Sequence, residues 1–512
     1  MFSEFIQHSS RRPEWQPLRG CRQAVHPRPS RWSVGTGLTL ALCTLFTVPL
    51  NPSLALLAGA PLLLLWGWWA YRAVLPAYGA LCFVWLTVYN RTILPLAPAD
   101  TAWQRGGVGL GDLLWIVFAG VWCAHMLRDK SPISVNIRDG LTVLVLLFLG
   151  ISLVLPMVGV LVYGYPLSYL APGIRQIEWV SFAMFGYWLV RREGIDATLR
   201  VFVTALLLSL LLHTIHGAIQ MLAFRGFISE EWIALDLAYA QRFPLSENKL
   251  DLHRATGLLH NPNDLGVLAA IAFIGWLALD LSSWKHGAGV KWLYLLFGAF
   301  LMIGSGSRSA IVGAALGVCS MLVRLLCTPS IGIAAAFRRL ARIASLMLLL
   351  GALLTPIVAL ITPYAFERLA WAFGVIIEGV SADENLEGRT EFWRNALNRY
   401  EFSYPAGTLV APTYALGEDI DNYFVFLLVQ GTPVFLGVFV LLLVGYLTAG
   451  WQAVNSLEPY RQVIGFWAIG VLSVILVASA TLNPLLSAHG VVMFWTLAGW
   501  LVATTPQRRR MV

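Results

Sequence analysis

The chain has 512 residues, of which 58% are hydrophobic and 12% charged, with a formal net charge of +8. Soluble domains carry about 25% charged residues, so a soluble globular domain is excluded. Nucleic-acid binding is not the reading of the positive charge either. The excess sits at the two ends, in Arg11, Arg12, Arg19, Arg22, Arg28 and Arg31 and in Arg508, Arg509 and Arg510, where membrane topology explains it.

Residues 1–35 read as a basic cytoplasmic tail. Arg11-Arg12 stands well ahead of the first apolar run and no small-residue cleavage site follows, so a retained tail is expected, not a cleaved signal. A transmembrane domain then covers 36–503. Crossing a hydrocarbon core about 30 Å thick takes about 20 mostly apolar residues at about 1.5 Å of rise each. Spans are predicted at 36–50, 54–71, 74–90, 109–127, 140–163, 168–190, 197–223, 263–281, 291–305, 308–326, 342–363, 422–448, 461–481 and 485–503. The first two are short and the 291–305 and 308–326 pair is tight, so the expectation is an all-α, polytopic membrane helix bundle of 12–14 transmembrane helices. Residues 504–512 form a second basic cytoplasmic tail.

Both termini are placed in the cytoplasm because the connectors then assigned inside carry Arg128 and Lys130, Arg191 and Arg192, Lys285 and Lys291, and Arg338, Arg339 and Arg342. Two long loops, 224–262 and 364–421, fall outside, and the second holds ten carboxylates against four arginines. Loops of this length are functional or disordered. Trp232, Phe243, Tyr364, Trp371, Trp393, Tyr400 and Tyr414 within them predict folded, packed loops. The six cysteines (Cys21, Cys43, Cys82, Cys123, Cys319 and Cys327) show no metal-ligand spacing and read as small hydrophobes. No metal and no cofactor is expected.

In the span 168–190, Arg175 and Glu178 lie three residues apart on one helix face. Ionisable groups there cost about 2.5–3.5 kcal/mol each on insertion scales, so the two either neutralise one another or line a polar cavity. The adjoining Gln176 tips the reading to a cavity wall. His213 and His216, in the next span, read as packed neutral side chains.

Four polar patterns follow. The first, Arg254-Ala-Thr-Gly257-Leu-Leu-His260-Asn261-Pro262-Asn263-Asp264-Leu-Gly266, leads into a span. Asparagine caps a helix and proline suits its first turn. The free N–H groups of such a start suit an anion; a plain capped helix is an equally good reading. The second, Gly304-Ser305-Gly306-Ser307-Arg308-Ser309, is a tight turn whose arginine either snorkels to the interface or meets a phosphate. The third is Gly388-Arg389-Thr390-Glu391-Phe392-Trp393-Arg394, where a local ion pair is the plainer reading. The fourth, Asp421-Asn422-Tyr423 with Gln430-Gly431-Thr432-Pro433 behind it, opens a span; a carboxylate there is most simply a cap.

In their order and loop placement these four patterns resemble the O-antigen ligase and polymerase family of bacterial envelope enzymes. The resemblance covers the membrane topology, with its motifs in roughly 250–435. It implies a metal-independent glycosyltransferase of the bacterial inner membrane acting on undecaprenyl-diphosphate-linked glycan. It assigns the donor diphosphate to Arg254 and Arg389, with Arg308 beside them; Asn261, Asn263, His260 and Asn422 of the motifs, and Arg175 of the polar span, are further substrate-binding candidates. A diphosphate leaving group gains charge, and arginine offers it bidentate hydrogen bonds. Ligases of the family carry a histidine where this chain has Asp421. The substitution counts against a ligase and for a polymerase of O-antigen or exopolysaccharide, with Asp421 as base or acceptor-orienting group and His260 in reserve. A flippase and a chain-length regulator are the partners the resemblance implies. The competing readings are a ligase transferring glycan to a lipid A core or protein, and a transporter or flippase, which predicts inverted repeats and helices broken near the midplane.

Overall fold

Within lipid an apolar segment satisfies its own N–H and C=O groups by coiling into an α-helix. The computed structural model is accordingly an all-α polytopic bundle. It describes residues 35–43, 52–88, 92–95, 107–129, 139–234, 254–259, 261–282, 284, 289–328, 333–361, 384–399, 407–410, 420–481, 485 and 488–505. Both basic tails and His260 lie outside the described residues.

The helices are α1 (35–43), α2 (Pro52–Arg72), α3 (Val74–Val88), α4 (Leu110–Asp129), α5 (Gly140–Tyr163), α6 (Ala171–Glu193), α7 (Ile195–Phe224) and α8 (Pro262–Leu281). There follow α9 (Val290–Ser305), α10 (Arg308–Leu326), α11 (Ile333–Ile361), α12 (Glu384–Arg399), α13 (Tyr423–Val454), α14 (Pro459–Ser479) and α15 (Ala488–Thr504). A short antiparallel ladder pairs β1 (Thr92–Pro95) with β2 (Gly107–Gly109) ahead of α4. Seven of the described helices, α4, α5, α7, α8, α10, α13 and α14, are long and apolar enough to cross a membrane; Val74–Thr87, Val290–Ser305 and Gly490–Thr504 are shorter apolar helices. The chain is a multi-pass membrane protein.

The centre of the bundle is α8 and α14. Their apolar windows are 89% and 83% buried, whereas that of α5 is 28% buried and turns Leu146, Leu147, Val154 and Leu161 outward. Small residues let the central helices touch. A Cβ at Gly313 of α10 would lie 3.0 Å from Val474 Cα, and one at Gly317 would lie 3.0 Å from Gly470 O. This is the close small-residue approach that favours helix association in lipid. The same pairs fix direction: α10 and α14 run antiparallel, so the start of α10 lies beside the end of α14. Gly266 against Ser307 and Gly317 against Ile274 set α8 parallel to α10.

At the opposite end, basic side chains sit over aromatic rings: Arg72 on Trp68, Arg128 on Tyr71, Arg191 on Tyr187, Arg192 on Trp188, Lys291 on Trp292 and Arg324 on Trp451, at 4.4–5.7 Å from the ring centroids. Cations stacked on Trp and Tyr at helix ends are the arrangement of a membrane–water interface.

Three expectations change. The predicted span 422–448 is not one straight helix: α13 breaks at Gly431 (φ −138°, ψ 24°) and Thr432 (φ 65°, ψ −179°), just before Pro433. Proline removes a donor and disfavours helix in the residue before it. Arg175 takes a partner that its own helix does not offer, Asp112 of α4 at 3.4 Å. Trp232 is 69% exposed, not packed. Of the other loop aromatics, Phe243, Tyr364, Trp371, Tyr400 and Tyr414 lie outside the described residues.

Candidate functional site

The first two motifs form one unit. Asn261 caps α8, accepting the Asn263 N–H at 2.9 Å, with Pro262 in the first turn. Arg254, only 4% exposed, donates from Nε to Ser305 O (2.6 Å) and from NH2 to Asn263 Oδ1 (2.9 Å), and Ala255 N donates to Gly304 O (3.0 Å). The guanidinium thereby ties the Asn-Pro-Asn helix start to the turn between α9 and α10. Gly306 supplies the left-handed residue of that turn (φ 57°). Arg308 follows at the first position of α10, half-buried.

A second layer holds this unit from α7. Gln220 Oε1 accepts from Thr256 N (2.9 Å) and Gly257 N (3.0 Å), while its amide donates to Thr256 Oγ1 (2.8 Å). His213 Nδ1 accepts from Leu258 N (3.1 Å) and Nε2 faces Leu86 O (2.9 Å). An acceptor on one nitrogen and a donor on the other define a neutral imidazole with its proton on Nε2. Gly257 is required here: its φ is +54° and a Cβ would lie 2.7 Å from His213 Nδ1. His213 and Gln220 are seven residues apart on one helix face, a spacing visible in the sequence but uninterpretable without their distant partners.

The third and fourth motifs form another unit, on the end of α14. A helix leaves its last carbonyls without intrahelical partners. The motifs take the two carbonyls that follow the last residue of α14: Asn422 Nδ2 donates to Ala480 O (3.0 Å) and Arg389 NH1 to Thr481 O (2.9 Å). Asn422 also caps α13 by accepting the Phe424 and Val425 N–H groups at 3.1 Å. Asp421 does not cap; it forms an ion pair with Arg389 Nε at 3.2 Å and accepts from Trp393 Nε1 at 3.3 Å. Both of its oxygens are engaged, so as a base it would have to exchange a contact for an acceptor hydroxyl. About a third of each side chain is exposed, 31% for Arg389 and 33% for Asp421, which leaves room for a ligand.

The α10–α14 antiparallel contact brings the units to one end of the bundle, with Arg308 at the start of α10 beside the α14 end that carries Thr481. Below Asp421 a small cavity of about 30 Å³ is lined by Ser152, Gln176, Trp179, Tyr423 and Gln430. The Trp179 indole N–H has no hydrogen-bond partner there, and a volume of about 10–15 Å³ per water leaves space for about two. The expected cavity wall is thus formed by Gln176, with Arg175 turned to α4. Where α13 breaks, a piece of the long loop enters: Thr408 N donates to Val429 O (2.9 Å) and Leu409 N to Gln430 O (3.0 Å), with Val410 fully buried.

Among the described residues no three His, Cys, Asp or Glu side chains gather as a metal set. Gln220, His213 and Trp393 are the supporting residues that sequence reasoning left out of the site. No family model matches this sequence, and no curated protein matches it.

Proposed function

We propose that the chain is a polysaccharide polymerase of the O-antigen ligase and polymerase type, a glycosyltransferase working without a metal at the extracytoplasmic face of the bacterial inner membrane. It would transfer O-antigen or exopolysaccharide glycan from an undecaprenyl-diphosphate donor to the acceptor sugar of a second lipid-linked unit. One observation carries the reading. Four motifs spread over some 170 residues lie at one end of the bundle, where Arg389 and Asn422 hold the carbonyls that follow α14 and Arg308 opens the neighbouring α10. The basic–aromatic belt at the other end supports placing that other end in the cytoplasm.

The geometry redistributes the arginine roles. Arg254 is buried and spends its donors on Ser305 and Asn263, so it positions the turn that carries Arg308. Arg389 and Arg308, both less buried, are the cations that would meet the diphosphate as its charge develops, Arg389 while keeping or exchanging its contacts with Asp421 and Thr481 O. Asp421 orients Arg389 and Trp393 and, on exchange of one contact, the acceptor hydroxyl. The break in α13 is a feature that the transporter reading also anticipates, but its freed carbonyls are occupied by Thr408 and Leu409 of the same chain.

The test is made in cells lacking the gene and complemented with Arg389→Ala, Arg308→Ala or Asp421→Asn. Loss of long surface chains, with single repeat units accumulating on the lipid carrier, is expected. Full-length polymer stranded on the carrier would identify a ligase, and unchanged glycan in the deletion itself would sink the transferase reading.

A further inference from the structure

Away from the motif units, three ionisable side chains meet between α4 and α6. Asp112 Oδ2 is fully used: it accepts the Gly109 N–H at 2.8 Å and Arg175 NH2 at 3.4 Å. Two oxygens remain. Asp112 Oδ1 and Glu178 Oε1 are both buried without a hydrogen-bond partner, on residues 8% and 7% exposed. They belong to carboxyl groups whose side chains interact directly. Two bare carboxylates in contact repel, and each leaves a lone pair unmet in a low-dielectric setting. One guanidinium cannot neutralise both. The charged groups acting on Glu178 are Asp112 from α4 and Arg175 from its own helix. Of the other elements packed on α6, α5 has no acidic or basic residue and α15 has only His489; the charged residues of α7 are not among those groups.

We propose that Asp112 and Glu178 form a proton-binding site in which a single proton bridges Asp112 Oδ1 and Glu178 Oε1, with Arg175 balancing the one remaining charge. That proton supplies the donor both orphan oxygens need and leaves the cluster neutral within the bundle. A metal cation fits less well: two open oxygens are few beside the six or more that bound calcium takes. Asp112 stands in the first turn of α4, next to β2, with its side chain 12% accessible, so exchange with solvent would run through Asp112. The site is independent of the glycan-transfer reading and uses none of its residues except Arg175.

Infrared difference spectroscopy on the purified full-length protein in lipid nanodiscs tests this directly. At neutral pH the wild type is expected to show one carbonyl band of a protonated carboxyl that carbon-13 glutamate or aspartate shifts. Either Glu178→Gln or Asp112→Asn should remove it, because each variant supplies an amide donor in place of the proton. Once the proton begins to leave, the protonated fraction should fall about tenfold per pH unit. The isotope shift in the wild type keeps the test sound if a variant fails to fold. Absence of the band would mean two ionised carboxylates and would overturn the proposal. A band removed at fixed pH by sodium chloride but not by choline chloride would assign the site to a metal cation and overturn it equally.

Discussion

Replacing Arg254 by methionine tests whether this residue is a joint of the fold. The methionine keeps an apolar stem but leaves Ser305 O and Asn263 Oδ1 without the donors that now reach them at 2.6 and 2.9 Å. Hydrogen bonds to a charged group contribute about 1.5–3 kcal/mol each, so the gross loss is about 3–6 kcal/mol. Removing a buried charge from a 4%-exposed site recovers part of this, because its desolvation no longer has to be met. We expect a net destabilisation of about 2–4 kcal/mol. The assay is reversible unfolding of the purified protein in mixed micelles, run as a double-mutant cycle with Asn263→Ala. Interhelical hydrogen bonds in lipid couple by about 0.6 kcal/mol on average and up to about 1.7; the charged pair should fall in the upper half of that range. A single-variant cost below about 0.5 kcal/mol, or a cycle that is simply additive, would show that the guanidinium is not held between the two motifs, and the assignment of Arg254 as a positioning residue would fall.

Other outcomes follow from the same geometry. Asp421→Asn should leave the unfolding free energy within about 1 kcal/mol of wild type, since a third-exposed ion pair contributes little, while chain length of the surface glycan collapses; a large stability loss instead would make the residue architectural. Gly266→Ala should cost about 1–3 kcal/mol by overpacking, because its Cβ would stand 2.4 Å from Ser307 Cβ, and an unchanged melting midpoint would contradict the α8–α10 contact. Thr432→Gly should raise the melting midpoint. Its φ of 65° with ψ of −179° lies where almost only glycine rests, at a strain of about 1–3 kcal/mol, which outweighs the roughly 0.5–1 kcal/mol entropic penalty of glycine. His213→Phe should destabilise by about 1–3 kcal/mol, stranding the Leu258 N–H, while Leu86 O keeps the Ser209 hydroxyl at 3.0 Å; a neutral result in the same unfolding assay would refute the role given to the imidazole.

How much of this was visible in the sequence depended on the range of the interaction. Helices declare themselves by apolar length, and most predicted spans coincide with a described helix within a few residues. The four motifs were visible because caps and tight turns are local: Asn261 and Asn422 each bond to N–H groups two or three residues on. Partners across the fold were not. Helix spacing places Arg175 and Glu178 on one face and leaves open whether they pair or line a cavity, whereas the ion-pair partner Asp112 lies 63 positions away. Asp421 looked like a helix cap because nothing nearby in sequence announces Arg389 and Trp393, which come from α12. Gly431 and Pro433 are residue types that interrupt a helix, yet the apolar length of 422–448 outweighs them in a reading by sequence, and which groups meet the freed carbonyls is a matter of tertiary structure.

The entry of Gly407–Val410 into the break of α13 bears on the order of biogenesis. An unsatisfied backbone carbonyl at membrane depth costs several kcal/mol, so a broken helix delivered alone to the bilayer would be penalised until something reached Val429 O and Gln430 O. Here the segment that reaches them precedes α13 in the chain and emerges from the ribosome first. When α13 partitions into lipid, its stopper has already been synthesised and is tethered about 20 residues away. Shortening or re-siding the 364–421 loop would therefore show first as a defect in the insertion of α13, before any defect in chemistry.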